Sequence, residues 1–280
     1  MTDGLAVIDK AAGWTSHDVV AKARGILGTK KVGHSGTLDP DATGVLLLGV
    51  GRATRLLRYL NDLPKTYTGE VVLGLTTSTL DASGEPTGRW DMSSVTPEEV
   101  QEELPQFVGD IEQVPPMVSA VQIGGKRLHQ LAREGVEVER EPRPVHVSSF
   151  TAEPTDDPLV YRIEVTCSAG TYIRSLAADL GTALGGGAHL RNLRRTAIGP
   201  HTVAEARPLE QLDVAALQPL AALVAHLDQV VVDDETARLV ATGRKLELVP
   251  HGHPVAVLSP AGALLAVYHR GKPEVVLPPR

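Results

Sequence analysis

The apolar positions of this chain change period several times, and each change marks an element. Leu5-Ala6-Val7-Ile8 reads as a first strand. Ser16 opens a helix through Leu27, with Gly28 as its stop. Val45 to Val50 is a short apolar run and predicts a core strand. Gly51 to Leu60 predicts a helix, with Arg52, Arg55 and Arg58 along one side. From Lys65 to Leu75 the pattern alternates, Tyr67, Gly69, Val71, Leu73 and Leu75 sharing one strand face. Thr96-Pro97-Glu98-Glu99 is a helix start with a threonine cap and a glutamate three residues on. Residues 141–151 and the alternating stretch from Leu159 to Cys167 predict two further strands. Ile173, Leu176, Ala177 and Leu180 then form a helical stripe ended by Gly181. The Leu/Ala-rich segment 208–223 reads as helical. Beyond His226 the pattern shortens to strands such as 253–258 and 263–268, which predicts a small, mostly β domain.

A composition of 42% hydrophobic and 22% charged residues describes an ordinary globular protein, and 3% aromatics leaves an aliphatic core. No apolar run approaches a membrane span, and the N-terminus reads as a strand and not a signal peptide. The single cysteine, Cys167, has no internal disulfide partner, and no metal-ligand cluster accompanies it. A cytoplasmic protein without cofactor or metal is the expectation. The net charge of −7 argues against a nucleic-acid partner when averaged over the chain. The charges are segregated, however. Acidic residues crowd 98–112, whereas basic ones gather at Lys22, Arg24, Lys30 and Lys31, at Arg52, Arg55 and Arg58, and at Arg191, Arg194 and Arg195. A basic face on an acidic protein fits this distribution, as do solvated element faces.

The stretch Gly33-His34-Ser35-Gly36-Thr37-Leu38-Asp39-Pro40-Asp41-Ala42-Thr43-Gly44 carries the strongest chemical signal. It sets Asp39 in a turn-prone loop before a core strand, with three glycines that permit positive φ and a proline that restricts Asp39. A carboxylate held there can attack a bound substrate; it can equally cap a turn. Arg174 falls in the first turn of a helix that follows a core strand. The helix dipole disfavours a cation at that end, so Arg174 requires a specific partner.

These segments together resemble the TruB family of tRNA pseudouridine synthases. The resemblance rests on the Gly33–Gly44 loop; Gly51-Arg52-Ala53-Thr54; Lys65-Thr66-Tyr67 with Leu73-Gly74; Pro115-Pro116-Met117-Val118-Ser119-Ala120; Gly170-Thr171-Tyr172-Ile173-Arg174-Ser175-Leu176; and Leu190 to Arg195. Three positions depart from the family pattern: Arg55 and Ala169 stand where lysines are usual, and His129 where tyrosine is common.

The resemblance implies an α+β fold with a mixed, largely antiparallel central sheet flanked by helices, residues 1–226 forming the catalytic domain. Residues 227–280 would form a PUA-like RNA-binding domain. It implies isomerisation of uridine 55 in the tRNA T loop, with Asp39 as essential carboxylate, Arg174 keeping it ionised, and Tyr67 stacking on uracil near C5. His34, Gly36, Thr37, Lys65 and Leu193 would bind the extruded nucleotide. Lys30, Lys31, Arg52, Arg55, Arg191, Arg194 and Arg195 would meet the RNA backbone. A monomer suffices for such a site. Two other readings compete. In a haloacid-dehalogenase-type phosphatase Asp39-Pro40-Asp41-Ala42-Thr43 would supply the nucleophile and the acid/base, but that motif follows an apolar strand and here the strand comes after it. In a non-catalytic RNA-binding module the basic clusters would serve, and Asp39, Tyr67 and Arg174 would have no purpose.

Overall fold

The apolar run 45–50 is a strand buried on both faces, and the N-terminal strand beside it is buried likewise. In the computed structural model, which describes residues 2–119, 122–123, 125–136, 138–246 and 252–278, the strands in chain order begin with β1 (Gly4–Lys10), β2 (Val32–Ser35), β3 (Thr43–Val50), β4 (Lys65–Leu73), β5 (Leu75–Thr77) and β6 (Pro86–Arg89). They continue with β7 (Gly109–Gln113), β8 (Gln122–Ile123), β9 (Lys126–Arg127), β10 (Arg143–Pro154), β11 (Val160–Cys167) and β12 (Ala188–Ile198). The remainder are β13 (His201–Thr202), β14 (Arg207–Pro208), β15 (Asp228–Val231), β16 (Val255–Leu258), β17 (Leu264–His269) and β18 (Lys272–Val276). The helices are α1 (Ser16–Ile26), α2 (Pro97–Glu103), α3 (Leu128–Arg133), α4 (Ile173–Ala183) and α5 (Asp234–Ala241). Ala120, last residue of the Pro115 motif, lies outside the described residues. Among the described residues no helix is long and apolar enough to cross a membrane.

The chain forms two compact units, residues 1–40, 44–63 and 198–280 in the first and 41–43 and 64–197 in the second. Two of the crossings fall inside strands, near the start of β3 and the end of β12.

In the first unit β1 runs antiparallel to β3 over its whole length, from Gly4 opposite Val50 to Lys10 opposite Gly44. β14 adds in parallel to β1, and β2 pairs with the second half of β3. Alternation sorts the side chains into two cores. Ala6, Ile8, Leu46, Leu48 and Val50 pack with Val19, Val20 and Ala23 of α1. Leu5, Val7, Val45 and Leu47 face Leu56, Leu60 and the C-terminal residues Ala256, Leu258, Leu264, Val267 and Val275. Thr15 and Asp18 form a reciprocal capping box at the start of α1, and Gly28 follows its end at φ +60°. The small C-terminal sheet has the order β15-β16-β17-β18, its other face closed by Val240 of α5 against Val255, Val257 and Tyr268.

The arginine segment is helical as expected, but of the 3₁₀ kind. Residues 51–55 and 57–60 are 3₁₀ turns, entered through Gly51 at φ +63°, where a Cβ would collide with Asp3. Three residues per turn brings positions i, i+3 and i+6 into one row about 6 Å apart. That row meets the edge strand β18 and the residues after it, whose alternate residues recur about every 6.6 Å. Arg58 Nη2 donates to Glu274 (2.6 Å), Arg55 Nη1 to the Val276 carbonyl (2.8 Å) and Arg52 Nη1 to the Pro278 carbonyl (2.6 Å). Segment 208–223 also differs, forming 3₁₀ turns at Leu209–Gln211 and Leu220–Val224 because Pro208 and Pro219 interrupt it.

The second unit is a sheet in the order β12-β4-β11-β10-β7, with antiparallel β4/β11, β11/β10 and β10/β7 ladders. Alternate residues Lys65, Tyr67, Gly69, Val71 and Leu73 of β4 are buried. Helix α4 passes through Gly181 instead of ending there, and glycine is needed at that position because a Cβ would strike the Ala188 amide and Cβ.

Two outcomes follow. Gly181→Ala gains about 1 kcal/mol of helix propensity but overpacks a backbone contact; we expect a net loss of about 2 kcal/mol, read by urea unfolding. Burial pushes the Tyr59 phenol from 10.0 up to about 12, while its hydroxyl donates to Glu274 (2.7 Å) and accepts from Arg58 (2.7 Å). A raised folded pKa gives stability that is complete below pH 10 and lost as pH climbs towards 12. Wild type should therefore lose about 1–2 kcal/mol more than Tyr59→Phe between pH 9.5 and 11.5. Equal losses in urea titrations would refute this.

Candidate active site

The loop carrying Asp39 joins β2 to β3. Gly36 (φ +74°) turns the chain out of β2 and Gly44 (φ +100°) returns it to β3. Gly33 stays within β2 and serves a different need, since a Cβ there would lie 3.2 Å from a Leu57 methyl. Both neighbours of Asp39 are pinned. Buried Leu38 donates its N–H to Ser16 Oγ (2.9 Å) and its carbonyl accepts from the same hydroxyl (3.3 Å). The Pro40 carbonyl accepts from the Gly13 N–H (3.0 Å) and from Lys10 Nζ (2.9 Å). Lys10 is only 1% exposed, and its ammonium also donates to the carbonyls of Ala11 (3.0 Å) and Trp14 (2.7 Å). Asp39 itself is half-buried in this frame. Sequence reading missed Lys10 and Ser16; a lysine closing an apolar strand just before a capped helix was the available signal.

His34 lies on β2 opposite Leu48, half-buried, its ring edge-on to His17 of α1 at 5.3 Å and 81°. Thr37 is exposed at the top of the loop.

In the second unit Tyr67 is buried on β4 opposite Val165, and Lys65, also buried, lies opposite Cys167. Burial pushes the Cys167 thiol up to about 11, consistent with a side chain that packs and does not react. Between Tyr67 and Val71, Gly69 lets β12 approach closely: a Cβ there would sit 3.4 Å from the Arg191 carbonyl and 3.6 Å from Leu193 Cα. The Thr196 hydroxyl donates to the Thr66 carbonyl (3.2 Å), so β12 runs antiparallel to β4 and brings Leu193 beside the Tyr67 end of that strand. Leu193 therefore belongs to a strand and not to a helix core.

Arg174, 5% exposed in the first turn of α4, donates to the carbonyls of Thr79 (2.8 Å) and Val118 (2.8 Å), with Asp81 Oδ2 3.6 Å from its Nε. These partners meet the requirement set by its unfavourable place on the helix dipole. Asp81 was not legible in the sequence as a partner. It organises its own turn, accepting from the hydroxyls of Thr79 and Ser83 (2.6 Å each) and the Ser83 N–H (3.1 Å).

The candidate RNA-contacting cations are placed unequally. Lys30, Lys31 and Arg55 are exposed, whereas Arg52, Arg191 and Arg194 are half-buried. Arg52 pairs with Asp3 (2.6 Å), Arg191 with Glu70 (2.6 Å), and Arg194 donates to Thr43 Oγ1 (3.3 Å). Arg195 is 1% exposed, an interior residue.

Known proteins are similar to this chain along nearly its whole length. The model of the TruB family pseudouridylate synthase N-terminal domain matches residues 24–173, and that of the tRNA pseudouridylate synthase B C-terminal domain matches residues 174–237. The tRNA pseudouridine synthase B of Streptomyces coelicolor is 49% identical over 286 aligned residues, covering 96% of this chain and 95% of that protein. That of Rhodococcus jostii is 47% identical, covering 92% and 90%. Among solved structures, a chain in an H/ACA RNP bound to a substrate RNA containing 2′-deoxyuridine superposes with a TM-score of 0.75 at 25% identity, covering 99% of this chain and 86% of that one. A chain of a Cbf5-Nop10-Gar1 complex gives 0.74 at 27%, covering 98% and 82%. The motifs, the α+β architecture and near-full-length similarity converge, and the chain belongs to the TruB family of pseudouridylate synthases.

Proposed function

We propose that this enzyme converts uridine 55 in the T loop of tRNA to pseudouridine, with Asp39 as the essential carboxylate. The reaction breaks the N1–C1′ bond, rotates the uracil, joins C5 to C1′ and releases the C5 proton. Asp39 can serve it by attack at C1′, by assisting glycal formation or by addition to the base; each route needs an ionised carboxylate on a loop that does not yield. The observation that carries the reading is the double pinning of Leu38 and Pro40 around Asp39. Near-full-length relatives named tRNA pseudouridine synthase B support tRNA as the substrate.

The remaining roles are those the family resemblance implies. Arg174 supplies the positive charge that keeps Asp39 ionised. Tyr67 stacks on the uracil and brings its hydroxyl to C5, and Leu193 forms an apolar wall. His34, Gly36, Thr37 and Lys65 hold the extruded nucleotide, whose unstacking costs a few kcal/mol. Lys30, Lys31 and Arg55 meet phosphates, with Arg52, Arg191 and Arg194 at the margin. Residues 227–280 act as a PUA-like contact for the acceptor end. The enzyme works as a cytoplasmic monomer that recognises the folded T arm by shape.

The test is tritium release from a tRNA transcript carrying tritium at C5 of uridine. Wild type should release it and Asp39→Ala should fall below about 10⁻³ of that rate with tRNA binding intact. Release by neither protein, with tight binding, would instead favour a non-catalytic RNA-binding module. Lys10→Met should strand buried carbonyls and cost about 2–4 kcal/mol in urea unfolding; a loss under 1 kcal/mol would show that the ammonium does not anchor the loop.

A further inference from the structure

Strand β12 contains a residue that a regular strand excludes. Asn192 has φ +55°, one of three non-glycine residues with positive φ among those described; Leu80 and Arg270 are the others and lie outside the strands. A left-handed residue inside a strand breaks the two-residue alternation and re-aims the side chains that follow. Here the next side chain is Leu193. Before the break Ala188, His189 and Leu190 are all buried; after it Leu193 and Arg194 are both half-buried.

One carboxylate grips this break. Glu70 Oε2 accepts from Arg191 Nε (2.6 Å) and from Asn192 Nδ2 (3.1 Å). Glu70 is the β4 residue next to Gly69, the point at which the backbone of residues 191–193 lies against β4. Tyr67 is three residues away on the same strand. The Glu70–Arg191 pair is partly exposed, so it contributes little to stability. Its consequence is conformational. Glycine at 192 would adopt the left-handed form without strain but offer nothing to hold, whereas asparagine adopts it at small cost and presents an amide.

We propose that Glu70 is a positioning residue for Leu193: by gripping Asn192 and Arg191 it fixes the left-handed break and sets Leu193 as the wall against which uracil turns beside Tyr67. This rests on the isomerase reading above. A base that detaches, rotates and reattaches needs a wall without hydrogen-bonding groups that would arrest it, and a firm one that keeps C5 near C1′. Leucine supplies the first property, and the Glu70 grip supplies the second.

A double-mutant cycle on tritium release from the same tRNA transcript tests this. Glu70→Ala should lower kcat/KM about tenfold when Leu193 is present and less than about twofold in a Leu193→Ala background, since residues acting through one another are non-additive. Asn192→Gly, which folds without strain but cannot be gripped, should lose about as much as Glu70→Ala. Glu70→Gln, which keeps an acceptor oxygen for the amide, should stay within about threefold of wild type. A Glu70→Ala loss smaller than threefold, or one equally large in both backgrounds, overturns the proposal; should that variant fold poorly, the same criterion applies to Asn192→Gly. Absence of release by wild type would instead refute the isomerase reading.

Discussion

A lysine ammonium is among the most heavily hydrated groups in a protein, and Lys10 brings one almost wholly out of water. The cost is tolerable because its N–H groups meet the carbonyls of Ala11, Trp14 and Pro40. The register of β1 against β3 makes this possible: Lys10 stands opposite Gly44, the residue at which the Asp39 loop re-enters the sheet. A slip of one residue would send Lys10 to the other face and exchange the two cores on either side of β1. The alternation of apolar residues therefore fixes the register, the register places the ammonium, and the ammonium ties the loop from one side. Ser16 ties it from the other, and its position depends in turn on the capping box that starts α1.

The same economy appears at the C-terminal sheet. β18 is an edge strand, and an unprotected edge invites pairing with other chains. Arg55 and Arg52 donate to carbonyls along and just beyond it, and Arg58 holds the Glu274 carboxylate that precedes them. The match works because three residues of a 3₁₀ turn and two of a strand advance by nearly the same distance. An α-helix would rotate the third arginine off the line.

The sequence disclosed the elements whose pattern is local. β3, β4 and β11 follow from apolar runs and alternation, and α1 and α2 from their caps. The turns at 51–60 were legible only as a helix, although arginines spaced by threes are the 3₁₀ period. Gly181 was read as a stop because the alanine it faces, Ala188, lies beyond the helix end and its approach depends on the fold. Of the candidate site, the Asp39 loop and the need of Arg174 for a partner were legible, since each breaks a local rule. Lys10, Asp81 and Glu70 were not. Each is an ordinary charged residue in sequence, and only the fold brings its partners to it.

These pairings bear on how an acidic protein can engage a polyanion. A cation already neutralised by a carboxylate adds little to counterion release when RNA binds, because its charge is balanced beforehand. Arg52 with Asp3, Arg58 with Glu274 and Arg191 with Glu70 are in that position. Arg55 differs: it is exposed, and its guanidinium is held by a neutral carbonyl that leaves the charge uncompensated. Lys30 and Lys31 are exposed likewise, on a chain of net charge −7. Under the proposed reading, an enzyme that meets RNA with cations of this kind draws further selectivity from surface fit and from the pocket that receives the base.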